Sequence, residues 1–489
     1  MSPAWQPERV PSEATGEGAP MNPVLFNPAF VSIEQAKAAM EAGELTSELL
    51  VEHQLQRIER FDAKLHAFVD VYADEAREAA RAMDGLRRAG ISLGPLHGVT
   101  VAVKDLFEID GKPITSGSVA QPARISTTTA TVVQRLRSAG AIVIGKTHTV
   151  EYAFGGWGTN EVMGTPWNPW DLRTHRIPGG SSSGSAVAVA AGLACAAIGT
   201  DTGGSVRIPA GLCGLVGLKT THGLISRHGL IELCPSHDTV GPLARTVRDC
   251  ALLLDVMAGA DPRDAVSQGA PVRQIAPDLK ALPRGARLWV LPTAERAGVE
   301  AAVLATYDEA LDVLRGMGMQ LVERNLPQSC AESMRIAGQL MSAEGYAQLG
   351  PLFERSELRF DPNIRRRILL GSGISAQQYQ DLLRSRDRAR RDMLNAMDGI
   401  DACVFPTNAI SAIPVAEVDE LATPLSRFGR FVNLMNLCAL AVPAGMSPEG
   451  MPISIQFIGR SWDEPKVLRL GLGFEQATAW HGLRPVGLD

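Results

Sequence analysis

No apolar run in this 489-residue chain is long enough to cross a membrane. The longest, Ala186 to Ile198, falls far short of the ~20 residues a spanning helix needs. It reads as a buried core helix. A basic excess is missing too: 47 lysines and arginines face 53 acids, a net charge of −6 with histidine neutral. No positive field therefore argues for nucleic acid. Cysteine is sparse, seven residues from Cys195 to Cys438 without a CxxC pair. The odd number and the spacing exclude a disulfide framework or a zinc ribbon. They leave small buried hydrophobes in a reducing compartment. Aromatic residues make up only 5% of the chain. The N-terminus has no basic stretch followed by an apolar one, so no secretory signal is read there. Residues 1–22 are expected to be a disordered tail, with Met21 an alternative start, and the cytoplasm is the expected address. No low-complexity linker divides the rest of the chain. Length alone suggests about three domains, but 23–489 is expected to form one.

Glycine is what the chain has in surplus. Its 48 glycines exceed the usual ~7%, and sixteen of them lie between Gly155 and Gly229. Something in that stretch needs backbone freedom or close backbone approach.

Elsewhere the pattern alternates strands with helices. Ser32-Ile33-Glu34-Gln35 has capping-box form, and Val51, Leu55 and Ile58 repeat at helical spacing. A strand from Gly98 to Lys104, a helix from Thr131 to Ser138, a break at Ala139-Gly140 and a strand from Ala141 to Ile144 come next. The same order returns with a strand at Arg287–Leu291, a helix at Val303–Leu314, glycines 316 and 318, and a strand at Met319–Val322. This predicts an α/β fold: a mixed, mostly buried central β-sheet with α-helices on both faces. A charged helical region on the substrate side is expected around 331–397. Its arginines at 365–367 and 384–391 read as a solvated helix face.

Three motifs need weighing. Gly140 to Thr147 fits GxxxxGK(S/T), but its middle residues, Ala-Ile-Val-Ile, form a strand whose N–H groups belong to a sheet and cannot cradle phosphate. Lys146 is then a strand-end charge. Gly180-Ser-Ser182-Ser-Gly184 fits GxSxG, yet an irregular loop precedes it where a nucleophile elbow needs a strand. His222, His228 and His237, with Asp238, sit in no telling context, and His97 reads as structural. The third constellation is different. It comprises Val101-Ala-Val-Lys104-Asp105, Pro178-Gly-Gly-Ser181-Ser-Ser-Gly-Ser185 and Gly199-Thr-Asp201-Thr-Gly203-Gly204-Ser205-Val-Arg207-Ile-Pro209. Lys104 closes an apolar strand, where burial disfavours the ammonium and leaves a neutral base. Ser205 follows Thr-Gly-Gly, where bare backbone lets N–H groups converge on one point, as an oxyanion hole requires. The hydroxyl-rich run ends by capping the apolar helix from Ala186.

These three segments resemble the amidase signature family of Ser–Ser–Lys hydrolases, and Ser181 and Ser205 stand 24 positions apart, as in that family. The similarity continues through Gly217-Leu-Lys219, Asp238-Thr-Val-Gly-Pro242, Phe405-Pro-Thr407, Asn433-Leu434, Val442-Pro-Ala-Gly445 and Gln456-Phe-Ile-Gly459, from about residue 27 onward. The resemblance implies Ser205 as acyl-enzyme nucleophile, Ser181 as bridging serine after a cis peptide bond, and Lys104 as base. The N–H groups of Thr202, Gly203, Gly204 and Ser205 would hold the oxyanion, while Asp201 and Arg207 support the loop. No cofactor and no metal are implied.

The expected substrate is a small amide, aryl amide, or carbamate or urea derivative, with no nucleic acid or membrane partner and a homodimer as the oligomer considered. The alternatives are the glutaminase subunit of a tRNA-dependent amidotransferase, an allophanate-type hydrolase, and a non-catalytic binding relative. The segment Phe431–Pro443 resembles allophanate hydrolases but lacks their Tyr-Thr-Asn stretch, and no added C-terminal domain is expected. Tyr152, Phe154, Trp157, Trp167 and Trp170 precede Ser181, where they either line an apolar pocket or pack in the core.

Overall fold

The computed structural model describes residues 27–271, 273–282 and 284–488. The tail expected over 1–22 lies outside the described residues. Strands fall at β1 (Phe68–Val71), β2 (Thr100–Lys104), β3 (Pro113–Ile114), β4 (Arg124–Ile125), β5 (Ile142–Thr147), β6 (Ala196–Asp201) and β7 (Val216–Lys219). They continue with β8 (Thr239–Ala244), β9 (Arg287–Val290), β10 (Gln320–Glu323), β11 (Ala402–Pro406), β12 (Cys438–Met446) and β13 (Pro452–Gly459). Eleven of them form one mixed sheet in the order β1-β5-β2-β6-β8-β7-β12-β13-β11-β9-β10, and β3 pairs with β4 apart from it. Near the first edge β2 runs parallel to both β5 and β6. The middle is antiparallel, and β11, β9 and β10 are parallel again.

Both faces of the sheet are buried, as alternate residues along one strand show. Val101 and Val103 enter one core and Ala102 the other; Val143 enters the first while Ile142 and Ile144 enter the second. The first core also takes residues from the helices Ile33–Glu41, Thr131–Ser138, Val247–Met257, Ala301–Gly316 and Glu464–Ala477. The second takes them from Ser47–Leu65, Ala73–Arg88, Ser183–Ala190 and Arg207–Leu212. The fold is thus mixed α/β with helices on both faces.

Several helix limits follow local signals. Ser32 and Gln35 exchange both capping-box bonds at the start of Ile33–Glu41. The helix Thr131–Ser138 has the bounds its pattern predicts. The strand expected at 141–144 runs on to Thr147, because Lys146 and Thr147 still pair with Val103 and Lys104.

The apolar run from Ala186 to Ile198 corrects the expectation of a single helix. The helix Ser183–Ala190 ends at a turn in which Gly192 adopts φ 72°, and the run resumes as strand β6. Leu193 N–H closes the turn on Ala188 O at 2.8 Å, and a Cβ on Gly192 would meet Ala29 O at 2.9 Å. A run apolar on every side carries no period, so helix and strand look alike in it.

The helical region expected around 331–397 comprises Cys330–Phe353, Pro362–Leu369 and Ala376–Ala396. Arg384 and Arg388 are exposed, as a solvated face requires. Arg367 is not: it turns inward and donates to Phe154 O at 2.9 Å and to Glu420 at 2.7 Å. Helix phase sends one of three consecutive arginines to a different side from its neighbours.

Candidate active site

β2 ends at Lys104, which the neighbouring strands and the helix Ser183–Ala190 shut away from solvent. Its Nζ donates to Ser181 Oγ and to Thr200 Oγ1, both at 2.8 Å. Thr200 lies on β6, which runs parallel beside β2, two residues past the last paired position, Ile198 opposite Val103. Burial pushes Lys104 down to about 7, against a weaker opposing pull from Asp238 and Asp201.

Ser181 follows a cis peptide bond from Gly180. Its carbonyl accepts from Val150 N at 3.2 Å and from Thr149 Oγ1 at 3.0 Å. The end of the run does not cap a helix from Ala186 as expected, because the helix already begins at Ser183. Ser182 occupies the N-cap without a capping bond. Its Oγ instead donates to Thr200 O and accepts from Thr200 N, each at 3.3 Å. Ser182 N in turn donates to Ser205 O at 3.2 Å. The serine-rich turn, β6 and the Ser205 turn are thereby held together.

Asp201 organises the Ser205 turn. Its carboxylate accepts from Gly204 N at 2.8 Å and Val206 N at 3.1 Å, and Arg207 reaches it with Nε at 3.1 Å and a second nitrogen at 3.0 Å. Burial opposes that charge, but Arg207 overcomes it and holds Asp201 well below the usual carboxylate range. Arg207 also meets Gln456 and Asn433 at 2.8 Å, which ties the turn to β13 and the helix Arg430–Leu434. Thr202 Oγ1 donates to Asp238 Oδ1 at 2.5 Å, and burial raises Asp238 to about 6. The supporting role read for Asp201 and Arg207 matches these contacts.

Of the residues expected around the oxyanion, Gly203 and Ser205 line a cavity of about 20 Å³ with Phe154, Ile208, Met341 and Arg430. Gly204 differs from the expectation: its N–H is engaged by Asp201. It adopts φ 123°, and a Cβ there would stand 2.7 Å from Ile208 Cδ1, so glycine is needed for the turn itself. The small cavity shares Phe154, Arg367, Thr423 and Arg430 with an adjoining cleft of about 410 Å³. Residues of Cys330–Phe353 and Pro362–Leu369 wall that cleft.

The other residues singled out fall elsewhere. Phe154 is the one of the five aromatics that lines both cavities. Tyr152 packs edge-on to Phe353, Trp167 stacks on His175, and the Trp157 and Trp170 indoles donate to Ala422 O and Cys213 O. Lys146 is no strand-end surface charge; it is buried and ion-paired with Asp105 at 2.9 Å. His97 bridges Met83 O and Leu93 N, and His222 meets Pro235 O. Among the described residues, Cys234, His237 and Glu344 are the group with metal-ligand atoms in reach of one another. They bond to one another and to Ser236, and Tyr379 donates to Glu344, bracing the chain just before Asp238. The reading from sequence missed Thr200, though it lies inside a motif already quoted, and Arg430, which no local pattern marks.

The fold around this site is that of a family of amide C–N hydrolases. The Amidase family matches residues 49–468, and the chain is a member of it. The glutamyl-tRNA(Gln) amidotransferase A subunit from Chloroflexus aggregans is 38% identical, over 93% of this chain and 98% of that one. The peptide amidase of Stenotrophomonas maltophilia is similar in structure, with a TM-score of 0.82 and 31% identity over 94% of this chain and 98% of that one. An s-triazine catabolic enzyme, solved as an inhibitor-bound complex, aligns at TM-score 0.86 and 29% identity over 93% of this chain and all of its own.

Proposed function

We propose that this chain cleaves a carboxamide with Ser205 as nucleophile, Ser181 as proton bridge and Lys104 as base. The observation that carries this reading is the 2.8 Å bond from Lys104 Nζ to Ser181 Oγ, inside a wall that excludes water, beside the Ser205 cavity. A lysine with its pKa near 7 holds enough neutral amine at physiological pH to take a proton. Ser205 Oγ attacks the carbonyl carbon while its proton passes to Ser181, and the Ser181 proton passes to Lys104. The relay then returns a proton to the departing nitrogen, so ammonia or an amine leaves and an acyl-serine remains. Water repeats the cycle and releases the acid. Gly203 and Ser205 N–H groups are best placed to meet the oxyanion. Thr202 and Gly204 hold the turn through Asp238 and Asp201.

On substrate, the 38% identity to a glutamyl-tRNA(Gln) amidotransferase A subunit over nearly both whole chains favours glutamine, with ammonia handed to a partner protein. The likeness to a peptide amidase supports a second reading, a free-standing hydrolase of small amides or carbamates. A fluorophosphonate probe should label Ser205 in the wild type, seen by peptide mass spectrometry. Ser205→Ala should abolish both labelling and ammonia release. Turnover by folded Ser205→Ala close to wild type would overturn the nucleophile assignment. Glutamine assayed beside aryl amides and carbamates separates the two substrate readings.

A further inference from the structure

Arg430 stands where the small cavity opens into the cleft, lining both. It begins the helix Arg430–Leu434. Its side chain has one hydrogen-bond partner among the described residues, Met334 O at 3.4 Å, and no carboxylate in ion-pair range. Of the other arginines in the cleft wall, Arg366 is exposed to solvent, while the remaining two are compensated. Arg367 meets Glu420 at 2.7 Å, and Arg335 meets Glu332 at 2.6 Å. Burial and the charge of Arg367 lower Arg430 to about 10, which leaves it a cation at neutral pH.

Room has been made for this side chain. A Cβ on Gly203 would come within 3.1 Å of Arg430 Cγ, and one on Gly338 within 3.3 Å of its Nη1. Gly203 is two residues from Ser205, so the guanidinium stem lies along the turn that carries the nucleophile. The rest of the small cavity is apolar in part, with Phe154, Ile208 and Met341. An uncompensated guanidinium facing such a space is poorly solvated and favours a planar anion that can accept two parallel hydrogen bonds.

We propose that Arg430 anchors a carboxylate of the substrate, so that the amide this enzyme accepts carries an anionic group a short aliphatic chain away from the scissile carbonyl. This inference rests on the Ser205 chemistry proposed above and narrows its substrate to acidic amides. Free glutamine and short dicarboxylic monoamides fit; neutral aryl amides do not. The remaining positive charge in a cleft of an acidic protein also draws such anions in.

The test compares ammonia release from L-glutamine and succinamate with release from their methyl esters, which keep the amide and remove the charge. The wild type should favour the acids by ~100-fold in kcat/KM, mostly through KM, with a preference that weakens as salt rises. Arg430→Met should collapse the acid-to-ester ratio towards one, and Arg430→Lys should restore part of it. Labelling of Ser205 by the fluorophosphonate probe reports separately on the nucleophile. Labelling without any preference for the acids overturns the anchor alone; absence of labelling overturns the nucleophile reading beneath it. Should Arg430→Met fail to fold, protection of the wild-type Ser205 from the probe by succinate or glutarate, and not by their diamides, decides the matter. Equal protection by both would also overturn the anchor.

Discussion

Lys104 and Lys146 occupy nearly equivalent places on neighbouring parallel strands. Lys104 faces Thr147 across the β2–β5 ladder, and Val103 faces Lys146. Neither side chain has any exposure to solvent. Burial lowers both ammonium groups, yet their partners differ. Lys146 donates to the Asp105 carboxylate at 2.9 Å and to Pro113 O at 3.0 Å, so a full opposite charge sits against it and favours the charged form. Lys104 donates to two neutral hydroxyls, and the carboxylates that support its charge, Asp238 and Asp201, act without touching it. Burial supplies the downward push in both places. The partner decides whether a buried lysine is held as a cation, as Lys146 is, or left to lose its proton near neutrality, as Lys104 is.

Replacing the two lysines should separate these roles. Lys104→Ala should lower kcat by ~10²–10⁴, the range spanned by general-base catalysis, with near-UV and far-UV spectra retained. The wild-type rate should rise with pH through about 7, because only the deprotonated amine accepts the Ser181 proton. A rate flat from pH 6 to 8 would break the comparison. Lys146→Met should act on stability. Leaving Asp105 buried and uncompensated should destabilise the fold by ~3–5 kcal/mol, read from denaturant unfolding, and adding Asp105→Leu should recover much of it. If Lys146→Met instead left stability intact and removed activity, the two lysines would have exchanged roles. The smallest effect is expected from Thr200→Val, which removes one of the two hydroxyls on Lys104. A loss of ~1 kcal/mol, about fivefold in kcat/KM, should accompany a shift of the acidic limb to lower pH, because the lost oxygen favoured the ammonium form.

Much of the fold could be read from the chain alone. The capping box at Ser32, the helix Thr131–Ser138 and the alternation of strands with helices rest on contacts within a few residues of chain, which local patterns record. Lys104, Ser181 and Ser205, the residues proposed for the chemistry, stood out because each sits in a short segment of unusual composition. What could not be read depends on partners far apart in the chain. Thr200 was in view but looked no different from Thr202. Only the assembled sheet, with β2 beside β6, brings it within 2.8 Å of Lys104. Lys146 looked like a strand-end charge because nothing in its own segment shows that the chain between Asp105 and Pro113 closes over it. Arg430 lies more than two hundred residues after Ser205 and carries no motif.

The amino-acid sequence by itself determined the fold class, the glycine-rich turns and the three residues proposed for the chemistry. Their identities and spacing are covalent facts, and the local conformations they impose need no distant help. Only the tertiary structure decided which buried lysine keeps a carboxylate, which residues of the Thr202–Ser205 turn line the cavity, and which arginine was left uncompensated beside it. Those outcomes are sums of burial and of hydrogen bonds between strands and helices distant in the chain. Such terms take a value only when the sheet has assembled and water has left.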